Sequence, residues 1–135
     1  MKTQACNERR EAVEILKRVL YEDAYASALL LARFRANPQW GERERGLITN
    51  LVYTVLTHSL RLEAFINKYA TIPVRRMKQQ VAVVLMVSAA QLLWMDRIPP
   101  HAVVDEAVKL ILASPQRNLS GFVNGVLRAM LRENL

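Results

Sequence analysis

Apolar residues recur along this chain at intervals of three and four, and the repeats are interrupted at short clusters of Pro, Gly, Asn and Asp. Ala12, Ile15, Leu16, Val19 and Leu20 follow one face of a helix, with Asn7 available as N-cap and Glu8 and Glu11 in the first turns. A second helix is predicted after Asp23, carrying Ala24, Ala28, Leu29, Leu31, Ala32 and Phe34 until Asn37-Pro38-Gln39-Trp40-Gly41 breaks it. From Glu42 the set Leu47, Ile48, Leu51, Val52, Val55 and Leu56 marks a longer helix. Leu62, Phe65 and Ile66 continue or restart it near Ser59, and Thr71-Ile72-Pro73 stops it.

The next segment, from about Val74 to Met95, is basic at its start and almost wholly apolar afterwards, the pattern of a helix surrounded by others. Arg75, Arg76 and Lys78 in its first turn would oppose the helix dipole, a local cost that an anionic ligand or a nearby acidic cap would relieve and that a tilted, solvated helix end would also accommodate. After a turn from Asp96, Pro100 suits the first position of a helix that buries Ala102, Val103, Ala107, Leu110 and Ile111, with Asp105 and Glu106 expected in its first turn. Ser114-Pro115 ends it. A last helix, from Asn118 or Ser120, presents Phe122, Val123, Val126, Leu127, Met130 and Leu131 on one broad face. Gly121 and Gly125 are expected to permit close helix approach, and Asn124 to bond the backbone of a neighbouring loop. No strand alternation, phosphate loop or internal repeat accompanies these patterns, so the expected fold is all-α, a compact bundle of about seven helices.

The 135 residues, 52% of them hydrophobic, suffice for one core, and residues 1–135 are read as a single domain. The apolar run through Val81–Met95 falls short of the roughly 20 residues that span a bilayer. The N-terminal residues lack the apolar stretch of an export signal, and Cys6, in a segment expected to be flexible, is the only cysteine. A cytoplasmic setting is the expectation. Nineteen Lys and Arg against twelve Asp and Glu give a formal net charge of +7, which favours a polyanionic partner on electrostatics alone.

The chemistry of catalysis is not written in the chain. A nucleophile needs an adjacent base and a metal needs three or more converging ligands. His58 and His101 lack the spacing of a helical metal pair, and the run Glu42-Arg43-Glu44-Arg45 reads as solvated ion pairs. No catalytic residue, cofactor or metal site is expected.

Met95-Asp96-Arg97-Ile98-Pro99-Pro100-His101-Ala102, then Asp105-Glu106-Ala107-Val108, then Gly121-Phe122-Val123-Asn124-Gly125-Val126-Leu127-Arg128, together resemble the C-terminal half of a NusB-type RNA-binding domain. The resemblance to the NusB superfamily extends from Glu11 to Arg132. Leu51-Val52-Tyr53 with Val55-Leu56, Leu62 to Ile66, Ala90-Gln91-Leu92-Leu93-Trp94-Met95 and Val126-Leu127-Arg128 are similar to the version at the N-terminus of RsmB (Sun or Fmu) ribosomal RNA methyltransferases. Two departures stand out. The family's S-adenosylmethionine-binding domain, with its cysteines, has no counterpart here, and Thr54 stands where the family pattern has glycine.

The resemblance implies a noncatalytic RNA-binding module that positions ribosomal RNA for a catalytic domain, with this chain read either as the N-terminal fragment of a longer methyltransferase or as a short protein in its own right. The alternatives are a stand-alone NusB-like antitermination factor and a protein-docking helical scaffold. Met77, Met86, Met95 and Met130 could belong to an interdomain or homodimer surface, although Met at helical spacing is ordinarily core filling. In NusB-like domains an arginine-rich first helix contributes to RNA contact, which implies roles for Arg9, Arg10, Lys17 and Arg18, although Glu8, Glu11 and Glu14 dilute the field and a solvated amphipathic face is the alternative. Arg75, Arg76 and Lys78 form a second basic patch, and whether the two adjoin is left open by sequence. Arg9, Arg10, Arg75 and Arg76 are expected to tolerate replacement by Ala as surface residues. Tyr21, Tyr25 and Trp40 are weighed both as base-stacking rings and as packing residues.

Overall fold

The computed structural model describes residues 6–134, so the expectation about an export signal falls largely on residues outside the described part. Among the described residues there are seven α-helices, two single 3-10 turns and no strand. The helices are α1 (Glu8–Glu22), α2 (Ala26–Ala36), α3 (Glu42–Thr57), α4 (Ser59–Asn67), α5 (Gln79–Trp94), α6 (Pro100–Leu112) and α7 (Ser120–Asn134), with 3-10 turns at Val74–Arg76 and Arg117–Leu119. The expected all-α bundle is what the chain adopts.

Local chemistry sets the boundaries. Asn7 accepts a hydrogen bond from the Arg10 backbone N–H at 3.0 Å and so caps α1 as expected, while Asp23 closes it in the left-handed region at φ 56°. Gly41 donates its backbone N–H to Glu44 at 2.8 Å at the start of α3. The chain does restart at Ser59, with His58 between α3 and α4. Pro100 occupies the first position of α6, where its missing N–H costs nothing.

Helix α5 runs through the middle of the bundle. Every residue from Val81 to Gln91 is buried, and α1, α3, α4, α6 and α7 all pack against it. The two polar members are satisfied locally: Ser88 donates to the Val84 carbonyl at 2.7 Å and Gln91 to the Val87 carbonyl at 3.0 Å. Leu16, Ile48, Leu51, Leu62, Ile66, Ile111 and Leu127 fill the interior around it, each essentially inaccessible to solvent.

Several expectations need correction. The helix anticipated from Val74 is two elements, because Met77 and Lys78 are extended (ψ 155° and 142°) and α5 begins only at Gln79. Buried Val74 is pinned to the end of α4, its N–H donating to Asn67 Oδ1 at 2.9 Å, so the chain must step across before it can enter the core. Arg75 and Arg76 therefore do not lie in the first turn of α5, and Lys78 is its N-cap. Asp105 and Glu106 fall in the second turn of α6. In α2 the buried side chain is Leu30, whereas Leu31 is half exposed. Gly121 and Gly125 are not sites of close approach, since a Cβ at either would meet nothing within 4 Å. Asn124 accepts from Arg128 Nε on its own helix at 3.1 Å. Cys6 packs against the core, Met86 and Met130 are buried, and Met77 and Met95 are partly covered, so the methionines do not form an exposed surface.

Candidate nucleic-acid interface

The basic residues singled out in sequence have different fates, decided by which helix each faces. Arg9 points inward: it is half-buried, and its Nε donates to Oε1 of buried Gln91 at 2.9 Å, tying α1 to the last turn of α5. Arg9 is thus held by a bond inside the bundle and does not lie free on the surface. Arg18 is exposed and weakly paired with Glu22 at 3.9 Å. Together with Arg10 it borders a groove of about 290 Å³ between α1 and α2, where Arg33 grips Glu11 through two hydrogen bonds of 2.8 and 3.2 Å.

Arg10, Lys17 and Lys78 come together. Arg10, Glu14 and Lys17 lie three and four residues apart on one face of α1. Lys17 Nζ donates to Gln80 Oε1 at 2.8 Å, which draws the first turn of α5 against that face. Two adjoining depressions result. One, of about 530 Å³, lies between α1 and the C-terminal half of α6 and is bordered by Arg10, Glu14, Lys17, Gln80, Glu106 and Lys109. The other, of about 440 Å³, is bordered by Lys17, Met77, Lys78, Gln79, Gln80 and Gln116. Lys17 and Gln80 line both, so the two basic segments adjoin through Lys78.

Arg75 is turned away to α4, where its Nε lies 3.7 Å from Glu63, and Arg76 is exposed without borrowing a carboxylate among the described residues. Lys109, Gln80 and Gln116 escaped the sequence reading. Lys109 stands on an ordinary amphipathic face of α6, and only the packing of both α1 and α6 on α5 makes it part of the same surface.

The aromatic candidates also separate. Trp40 is buried beneath the Arg33 guanidinium, 5.7 Å from its ring centroid, so it offers no open face. Tyr25 is largely accessible and Tyr21 partly so; burial and the nearby Glu63 carboxylate raise the Tyr21 phenol above its ordinary pKa. Trp94, not among the rings weighed from sequence, stacks with His58 at 4.6 Å and lies 5.6 Å beneath the Arg61 guanidinium. Its partners come from the α3–α4 junction, which sequence spacing does not reveal.

No group of three or more His, Cys, Asp or Glu is placed to hold a metal among the described residues. Burial, reinforced by Glu8, Glu11 and Glu44, pushes the Cys6 thiol up to about 11, the opposite of what a nucleophile requires. No helix is long and apolar enough to cross a membrane among the described residues.

A seven-helix bundle with a buried α5 and a basic edge on α1 can be set beside known proteins. The NusB family profile matches residues 6–132, and the chain belongs to that family. A probable ribosomal RNA small subunit methyltransferase B from Bacillus subtilis (strain 168) is 31% identical over 124 residues, covering 92% of this chain and 27% of that protein. The ribosomal RNA small subunit methyltransferase B of Klebsiella pneumoniae (strain 342) is 36% identical over 92 residues, 68% of this chain and 21% of that protein. The chain thus spans about a quarter of the length of these relatives.

Among solved structures, T. maritima NusB superposes with a TM-score of 0.86 at 19% identity, over 98% of this chain and 94% of that one. NusB crystallised with NusE and double-stranded RNA superposes with a TM-score of 0.83 at 21% identity, over 93% and 94%. These likenesses establish the NusB fold.

Proposed function

We propose that this domain is a noncatalytic RNA-binding module that positions ribosomal RNA for a methyltransferase domain. The observation that carries the reading is the joining of Arg10, Lys17, Lys78 and Lys109 into one surface across α1, α5 and α6. Cationic side chains on a rigid scaffold supply phosphate affinity with steep salt dependence. The kinship with ribosomal RNA small subunit methyltransferases, of which this chain matches about a quarter, supports ribosomal RNA as the partner and a cytoplasmic setting. Of the seven cations proposed from sequence, Arg10, Lys17 and Lys78 form the centre of the interface. Arg18 and Arg76 are peripheral contacts, Arg75 is shared with Glu63, and Arg9 acts by fixing α1.

The likeness to NusB bound to NusE and double-stranded RNA favours one competing reading, a stand-alone antitermination factor with a protein partner. Fluorescence-anisotropy titration tests the RNA-binding role itself. The purified chain should bind structured small-subunit ribosomal RNA fragments more tightly than an unstructured control of equal length, and lose affinity as salt rises. Absence of binding to either RNA would refute the positioning role and leave protein docking.

A further inference from the structure

The two depressions differ in charge in a way that a plain phosphate-binding surface does not explain. The smaller one carries Lys17 and Lys78 and no carboxylate. The larger one carries two carboxylates, each paired with a lysine three residues on: Glu14 with Lys17 at 3.6 Å on α1, and Glu106 with Lys109 at 3.8 Å on α6. These pairs border opposite sides of the depression, with Gln80 also on its lining. Carboxylates in a site for phosphates alone would weaken it. An ionised carboxylate only accepts hydrogen bonds, so its match on RNA is an N–H group on a base edge.

We propose that the larger depression receives one unpaired guanine base, read by Glu106 and Glu14, while Lys78 and Lys17 hold the neighbouring phosphate in the smaller one. This deepens the RNA-binding reading and rests on it. Guanine presents a ring N–H and an exocyclic amino group side by side, which suits the two oxygens of a carboxylate. Uracil offers a single N–H. At about 530 Å³ the depression falls in the roughly 300–1,000 Å³ range of sites that take small organic ligands. An A-form duplex would bury that base edge in pairing, so the occupant must come from a loop, bulge or single strand. Lys17 and Gln80, common to both depressions, lie where base and phosphate of one nucleotide would meet.

The test compares a uridine octamer with the same octamer bearing one central guanosine or inosine, by anisotropy with the full chain. The wild-type protein should prefer the guanosine octamer by about tenfold, in line with a good two-point base contact, with inosine, which lacks the amino group, falling between. Glu106→Gln and Glu14→Gln, checked for unchanged thermal melting, should each reduce that preference while leaving uridine-octamer affinity equal or higher. If Glu106→Gln instead tightens all three RNAs equally, the carboxylates only repel phosphate and the proposal fails. Equal wild-type affinity for the three RNAs would also overturn it while preserving RNA binding. Failure to bind any of them would overturn the RNA reading as well.

Discussion

Removing the Arg9 side chain tests whether this arginine is an internal tie or a surface contact. In Arg9→Ala, Gln91 Oε1 loses the 2.9 Å bond that satisfies it, at a position with 2% exposure. A buried acceptor left unpaired costs about 1–3 kcal/mol, and the lost packing of the arginine stem adds to it. A loss of about 2 kcal/mol should lower Tm by roughly 6–10 °C, interpolating between the sensitivities of smaller and larger domains. Gln91→Met keeps the volume and discards the acceptor, so the double variant should recover most of the loss. Thermal melts of the four proteins form a double-mutant cycle with an expected coupling of about 1–2 kcal/mol. Arg9→Ala melting with wild type, or losing as much in the Gln91→Met background as in the native one, would refute the internal-tie account.

Two further predictions concern stability and reactivity. Gly121→Ala and Gly125→Ala should each stabilise by about 0.5–1 kcal/mol, because both glycines are helical, have negative φ and leave open space for a Cβ; denaturant titration checks this. The Cys6 thiol, raised from an ordinary 9.0 to about 11, should alkylate about a hundredfold more slowly at pH 8 than in the unfolded chain, the two-unit shift setting the thiolate fraction. Because folding raises this pKa, its contribution to stability is present below pH 9 and fades as pH climbs through about 11. Iodoacetamide labelling across pH 7–11 reads the first effect, and Cys6→Ala should flatten its share of the alkaline loss. A thiol that labels at neutral pH as fast as a free one would contradict the partial burial of Cys6.

Much of the architecture was legible because helix periodicity and punctuation agree. Asn7, Pro100 and the apolar run after Val81 sit where their roles require, and the family resemblance led to the same bundle. The misreadings share a cause. The break at Met77–Lys78 depends on Asn67 holding Val74 from another helix, a bond that periodicity within residues 74–95 cannot express. The depth of Arg9 depends on Gln91, eighty-two residues away. Glycines in α7 suggested contact because they are unusual in helices, yet their surroundings are open. The basic surface was half visible: Arg10 and Lys17 share a helical stripe, but Lys78 and Lys109 join them only through tertiary packing.

The joined α1, α5 and α6 surface is where RNA is proposed to bind. Its most direct test is the salt dependence of RNA affinity for the wild-type chain and for Arg10→Ala/Lys78→Ala/Lys109→Ala, whose three side chains are exposed. If each contacts one phosphate, the logarithmic slope should flatten by about 2 for single-stranded RNA, at roughly 0.7 per cation removed, with affinity falling and melting unchanged. A triple variant with the wild-type slope and affinity would contradict the claim and place the RNA, if any, on another face.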